Sequence, residues 1–527
     1  MTDVIAQLIP EITPLHLKII VNSPPKRGGS FESLFRKINT CATWRGSSCS
    51  ACWLGVYFLL VTTLLYAASS GWAYDDPFIT FRYARNLAHG EGFVYNPGLH
   101  VQSTTTPLFT LILAAISPIW DDLPRLAVLL GAASLALGGI FLWDLARSWS
   151  TPLAGWTGLL LYPTFPLLIS TLSSEVPLYL ALCLGAFAFY ARQKCTHAAI
   201  FSALAMVTRP DGALVALFLA ADYVWRKRRF PPRRAVMFFL LLALPWFLFA
   251  WAYFGSPIPA TLMAKQGQAA MPISQGFAQG LLPLARGYAG RWNFALCGLI
   301  ALVGLAFVFL HAQRWLLFLA WPALYFLSYA LLGVTGYFWY YAPLVPGFIA
   351  LIGLGIEAIP HWTSNRQRQT EPLKAFPKSF SVLPILLIAV LTLAQMQFSL
   401  HSWGQSDPRY AIYRAAGEWL KNNIPQKTSI GALDVGIIGY FAQRPMVDFA
   451  GLLYPEIAAR LHQSSDYGEA AQWAAEHYHL PYIVLLEGNL PQLEQGYLAK
   501  RCQVTQRFPG DRYNYPTDLM IYDCVGQ

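Results

Sequence analysis

The chain has 527 residues, of which 55% are hydrophobic and only 12% charged, with a mean hydropathy of +0.41. A soluble domain is about a quarter charged, so the composition excludes an ordinary soluble protein and points to a polytopic membrane protein. The formal net charge of +10 does not imply nucleic acid, because the basic residues sit in short clusters between apolar runs, as cytoplasmic loops of membrane proteins do.

Residues 1–52 carry Lys26, Arg27, Arg36, Lys37 and Arg45 and read as a mostly disordered cytoplasmic tail. The run from Trp53, "WLGVYFLLVTTLLYAASSGW", lies too far in for a cleaved signal and is long enough to span, so it reads as a retained signal anchor. Cys49 and Cys52 form a lone CxxC at its edge. With no second pair following, membrane-edge cysteines or acylation sites fit better than zinc.

The segment 72–123 follows, expected outside. Its piece "TPLFTLILAAISPIW" is short for a span and suits a helix lying along the interface. Further spans are expected near 124–146, 152–170, 177–191, 198–208, 213–225, 235–254, 292–311, 314–333, 341–358 and 380–400, for a total of about eleven. This set puts "ARSWS", "RQKCTH", "RKRRFPPRR", "HAQR" and "SNRQRQTEPLKAFPKS" inside, all positively charged; counting the short piece as a span would put the Arg226–Arg234 cluster outside. The segments 198–208 and 213–225, joined by "RPDG", are too short to cross alone and are expected to turn within the bundle. From about 401 the composition becomes soluble. Helical patterns ("YRAAGEWLKNNIP", "YPEIAARL", "GEAAQWAAEHYH") alternate with strand patterns ("TSIGAL", "QRPMVDFAG", "PYIVLLEGN"), which predicts a small extracytoplasmic α/β domain over 401–527.

The chemistry concentrates in "WAYDDPFITFRYARNLAHGEG". Two adjacent carboxylates repel each other and are costly to bury, so Asp75 and Asp76 need a cation, a metal or a shared proton. Helix capping ahead of Pro77 explains one of them well and the second poorly. On the following helix Arg82 and Arg85 share a face with Phe78, which suits a phosphate or, equally, headgroup snorkelling. Glu175, Arg209, Asp211 and Lys265 fall in the other outer loops, and charges at membrane depth are expected to converge on one cavity. There is no P-loop, GxGxxG after a strand, HExxH or GxSxG elbow, so ATP-driven transport and serine hydrolysis lose their usual support.

The blocks "DDPFITFRYARNLAHGEGFVYNPG", "STTTPLFT", "SSEVPLYLAL", "TRPDGAL", "YFGSPIPATLMAKQG" and "ALDVGIIGYFAQRPMVDFAGLLYPEI" resemble GT-C fold glycosyltransferases, with the nearest likeness to mycobacterial terminal arabinofuranosyltransferases and their bacterial relatives. The resemblance covers about 53–460 and is more specific for the superfamily than for the sugar. It implies a polytopic α-helical membrane enzyme with an extracytoplasmic C-terminal domain. Such an enzyme would move a sugar from a polyprenyl-phosphate donor to a cell-envelope glycan, lipid or protein acceptor, with inversion. It maps the catalytic base onto Asp75–Asp76, with Asp75 favoured. The donor phosphate falls to Arg82, Arg209 and Lys265, and the substrate cavity to Arg85, Glu175, Asp211 and the aromatics Tyr337, Tyr340 and Tyr341.

The chain departs from the group at Ser174, where relatives often carry Met or Gly, and at "GYFWYY", where many have "HRY". Two acids could hold Mg²⁺ or Mn²⁺, although some members work without a metal, so no cofactor is assigned. Cys502 and Cys524, in a compartment expected to be oxidising, are candidates for a disulfide. The rival readings are a lipid-linked-sugar flippase, which would show pseudo-symmetric halves, and a non-enzymatic membrane scaffold.

Overall fold

The computed structural model describes residues 47–271, 274–369, 382–401, 406–461 and 466–525. The tail expected over residues 1–52 lies outside the described residues as far as residue 46, as do the Cys49 side chain and residues 370–381 of the last basic loop. The chain divides into two compact units, Met1–Val61 and Thr62–Gln527. In the first, the described residues belong to the opening of an apolar helix, Ser47–Ser69. The second unit contains the site.

Among the described residues six helices have the length and apolarity to cross a bilayer: Ala51–Ser69, Leu123–Ser148, Arg233–Phe254, Trp292–His311, Trp315–Leu332 and Phe338–Trp362. Pro152–Leu161, Val176–Ala191, Cys195–Thr208 and Leu383–Ser399 are apolar but shorter. The span expected at 152–170 is interrupted. Its helix ends at Leu161, and a four-residue helix restarts at Pro166. Pro163 and Pro166 explain the break, since each lacks an amide donor and disfavours helical backbone just before it. Pro107–Ile116 is the short apolar helix expected between the first two spans. Large apolar side chains such as Leu240, Leu244, Leu248 and Trp251 are exposed along Arg233–Phe254, a surface that only lipid or another apolar partner would solvate without cost.

The C-terminal part is an α/β layer built on a five-stranded mixed sheet. Strands β1 (Ile430–Ala432), β2 (Met446–Asp448), β3 (Tyr482–Leu486), β4 (Gln503–Phe508) and β5 (Leu519–Asp523) lie in the order β2-β1-β3-β5-β4. The first three are parallel, and β5 runs antiparallel to both β3 and β4. Cys502, at the start of β4, is disulfide-bonded to Cys524, at the end of β5.

This layer shares a core with the membrane-side helices. Phe78 and Phe81, fully buried on the Asp75–Ala88 helix, pack edge-on against Tyr440 of the Ile437–Ala442 helix. Gly436 and Gly439 permit the approach: a Cβ at Gly436 would run into the Asp75 carbonyl, and one at Gly439 into the Tyr95 hydroxyl.

Candidate functional site

The Asp75–Ala88 helix starts six residues after Ser69, and both acids lie in its first turn, where the helix dipole favours negative charge. They face different partners. The Asp75 carboxylate is buried and accepts from the backbone amides of Gly436 (3.0 Å) and Ile437 (2.8 Å), the start of the Ile437–Ala442 helix. Burial, together with the nearby Asp434 carboxylate, pushes its acid up to about 8 despite those two bonds.

Asp76 instead points into a polar cavity, with Oδ2 3.6 Å from Lys265 Nζ. Lys265 rises from the Thr261–Ala270 helix and donates to the Tyr340 hydroxyl (2.7 Å). Burial works against the Lys265 ammonium, but Tyr340 and Asp76 outweigh it and hold the group above its ordinary value.

Around this pair the walls differ in chemistry. One is hydroxylic: the side-chain oxygens of Thr80, Thr104 and Thr106 form a triangle with edges of 3.0–3.2 Å, and Ser103 and Thr105 lie beside it. The Ser103 hydroxyl is buried and has no hydrogen-bond partner among the described residues. A second wall is aromatic. Trp339 lies between Tyr74 (5.2 Å, 29°) and Tyr337 (4.5 Å, 6°), and with Tyr340 it lines the space. At the third, Arg209 donates to Glu175 (3.0 Å), Asp211 (3.1 Å) and the Tyr329 hydroxyl (2.7 Å). Leu452, beyond β2, reaches in from the sheet layer. The site therefore offers one carboxylate and one ammonium near contact, hydroxyls suited to a polyol or phosphate, and a ring face suited to a sugar.

A family model described as a domain of unknown function (DUF8728) matches residues 399–522. No curated protein matches the chain. Among solved structures, the chain is similar to ArnT from Cupriavidus metallidurans in the apo state, at 15% identity over 90% of this chain and 98% of that one, with a TM-score of 0.59. It is also similar to the archaeal oligosaccharyltransferase AglB from Archaeoglobus fulgidus, in complex with an inhibitory peptide and a dolichol-phosphate, at 13% identity over 82% of this chain and 69% of that one (TM-score 0.52). Both are GT-C superfamily glycosyltransferases. The fold is GT-C.

Within that fold, Asp76, Glu175, Arg209, Lys265 and Tyr340 come together at one cavity. Several residues expected there lie elsewhere. Asp75, favoured from sequence as the base, faces the sheet layer and not the cavity. Arg82, expected at a donor phosphate, is buried with its guanidinium donating to the carbonyls of Tyr95 (3.0 Å), Gly439 (2.8 Å) and Arg444 (2.6 Å) and to Asn96 Oδ1 (3.3 Å). Arg85 bonds the Tyr440 carbonyl (2.8 Å) and stacks 3.6 Å from that ring. The two arginines do share a face, but it is the one that docks the sheet layer.

Tyr341 stacks on Phe277 and donates to its carbonyl (2.7 Å), away from the cavity. Tyr337 sits one ring behind Trp339, its hydroxyl on Gln268 (2.9 Å). Asp211 reaches the site only through Arg209, whose charge it shares with Glu175; that leaves Lys265 as the cavity's cation not already matched by two carboxylates. The residues missed from sequence are Trp339, Thr80 and the Ser103–Thr106 run. Four consecutive hydroxyl residues ahead of Pro107 were the available signal.

The two carboxylates of the acid pair do not converge on one point, because Asp75 is turned to two backbone amides. Among the described residues no group of three or more His, Cys, Asp or Glu comes together.

Proposed function

We propose that this protein is a membrane glycosyltransferase that takes a sugar from a polyprenyl-phosphate carrier and places it on a cell-envelope glycan, lipid or protein acceptor at the extracytoplasmic face. The observation that carries the reading is Asp76 set 3.6 Å from Lys265 in a cavity walled by hydroxyls and Trp339, within a GT-C fold.

The acceptor hydroxyl attacks the anomeric carbon from the face opposite the phosphate. As the new C–O bond forms, the proton passes to the Asp76 carboxylate, the bond to the phosphate oxygen breaks, and the carrier leaves as a phosphate monoester. Lys265 meets the charge that builds on that leaving oxygen, and Tyr340 fixes the ammonium's direction. The threonine triad and Trp339 orient the sugar. A phosphate leaves without prior activation, so the reaction consumes no nucleotide at this face.

Purified protein supplied with a panel of polyprenyl-phosphate sugars and envelope acceptors tests this. Transfer by the wild type that disappears in Asp76→Asn supports it. Full transfer by that variant overturns the base assignment, and no transfer with any donor overturns the function.

A further inference from the structure

A second cavity, of about 380 Å³, lies between three helices away from the polar site: Cys195–Thr208, Ala213–Lys227 and Arg233–Phe254. Its walls are mostly small or apolar, among them Ala198, Ala216, Ala220, Ala235 and Phe239. Small side chains on all three helices keep the backbones from being filled in between, which leaves a furrow where a well-packed bundle would have none. From Cys195 to Met206 the furrow follows one helix for about 16 Å at 1.5 Å per residue. That is about half of a ~30 Å hydrocarbon core, the depth of a single leaflet.

The charge stands at one end of this furrow. The chain between Tyr223 and Ala235, both of which line it, contains Arg226, Lys227, Arg228, Arg229, Arg233 and Arg234, all exposed. Asp222 neutralises Arg226 (2.7 Å) and accepts from the Tyr190 hydroxyl (2.6 Å), and Arg228 lies over the Trp225 ring. Lys227, Arg229, Arg233 and Arg234 form no ion pair with any described residue. Four unmatched cations over a leaflet-deep apolar furrow fit a ligand with an anionic phosphate head and a long aliphatic tail.

We infer that the furrow is a built site for one anionic phospholipid, its acyl chain along Ala198–Met206 and its phosphodiester head on Arg229, Arg233 and Arg234. The site stands apart from the polar cavity and does not depend on the transferase reading.

The full-length protein in neutral detergent, titrated with dioleoyl-phosphatidylglycerol or dioleoyl-phosphatidylcholine and read by native mass spectrometry, tests it. One phosphatidylglycerol should be held at least ten-fold more tightly than phosphatidylcholine. The preference should vanish in the triple variant Arg229→Gln/Arg233→Gln/Arg234→Gln and in the furrow-filling Ala216→Phe/Ala220→Phe. A readout that needs no furrow variant is Cys195, a free, half-buried thiol lining the site: phosphatidylglycerol should slow its labelling by N-phenylmaleimide at least three-fold, with Cys195→Ser as the blank.

Equal affinity for the two lipids, or unchanged Cys195 labelling, overturns the proposal. A furrow-filled variant that folds and keeps the preference also overturns it, leaving only surface charge. If undecaprenyl phosphate displaces phosphatidylglycerol and binds more tightly, the occupant is a carrier lipid and the proposal fails in favour of that source.

Discussion

Asp76 and Lys265 lie 3.6 Å apart in a partly exposed cavity, while Asp75, the residue before Asp76, binds the amides of Gly436 and Ile437 in the core. Consecutive helical residues point about 100° apart, so one pair of acids serves two surfaces. The division eases the electrostatic problem of adjacent carboxylates: Asp76 has an ammonium beside it, while burial pushes the Asp75 acid up to about 8, so the two need not both carry charge at neutral pH.

Asp76→Asn and Asp75→Asn are therefore expected to fail differently. The first should lower kcat for sugar transfer about 10²–10⁴-fold, the range of a lost general base, with little change in donor KM or unfolding temperature. The second should lower the unfolding temperature, because an amide nitrogen would face the amides of Gly436 and Ile437, and should lower kcat less. Transfer kinetics and thermal unfolding of both purified variants, measured side by side, check the pair.

Lys265 is expected to act on the leaving phosphate. Lys265→Met, of similar length without charge, should lower kcat about 10²–10³-fold, as loss of a charge-stabilising donor does. Lys265→Arg should restore part of it. Tyr340→Phe, which removes the 2.7 Å bond to Lys265, should cost less than Lys265→Met. An equal loss from both would place the effect in the packing around Trp339 and not in the charge.

The apolar runs, the short apolar helix at Pro107–Ile116 and the first three strands were legible because each is local: a hydrophobic stretch, a Pro at a helix start, a run of buried β-formers. The strands β4 and β5 were not. "QVTQRF" is an edge strand whose residues are mostly exposed, so no alternation marks it, and its place depends on the Cys502–Cys524 bond and pairing with β5. In the site, charge and expected loop position were enough to group Asp76, Glu175, Arg209 and Lys265, which line one cavity. They misplaced Arg82 and Arg85, because a cation bonded to backbone carbonyls of a segment more than 350 residues away looks the same in sequence as one awaiting a phosphate. Which acid of the pair faces the cavity depended in the same way on Gly436, contributed by the distant sheet layer.

Gly436→Ala probes that contact from the other side. The added methyl would meet the Asp75 carbonyl and carboxylate, where both partners are buried and the backbone cannot yield without moving the Ile437–Ala442 helix. The expected cost is about 1–3 kcal/mol, the range for overpacking, seen as a lower unfolding temperature. Gly488→Ala serves as the comparison: that glycine has open space around it but a φ of +78°, so its cost is backbone strain alone. A Gly436→Ala variant no less stable than wild type would refute the close approach.

Stability should also carry the signature of Asp75 in its pH dependence. Its acid is pushed up to about 8, from 3.8, by burial and by Asp434. Between those values the folded protein keeps the proton that the unfolded chain releases, so the folded state binds more protons and stability falls as pH rises. The contribution is fully present below about pH 4 and lost by about pH 8, with a slope of at most about 1.4 kcal/mol per pH unit from this group. Asp75→Asn cannot titrate and should flatten that part of the profile even though it is less stable throughout. Asp448, buried and pushed up to about 7 by the same loss of solvation, adds a decline of the same sign between about pH 4 and 7, so the wild type should lose part of its slope in Asp75→Asn and not all of it. Unfolding temperatures of the two proteins from pH 4 to 9 in one detergent decide the matter. Parallel curves would mean that Asp75 is ionised throughout, with the amides of Gly436 and Ile437 outweighing its burial.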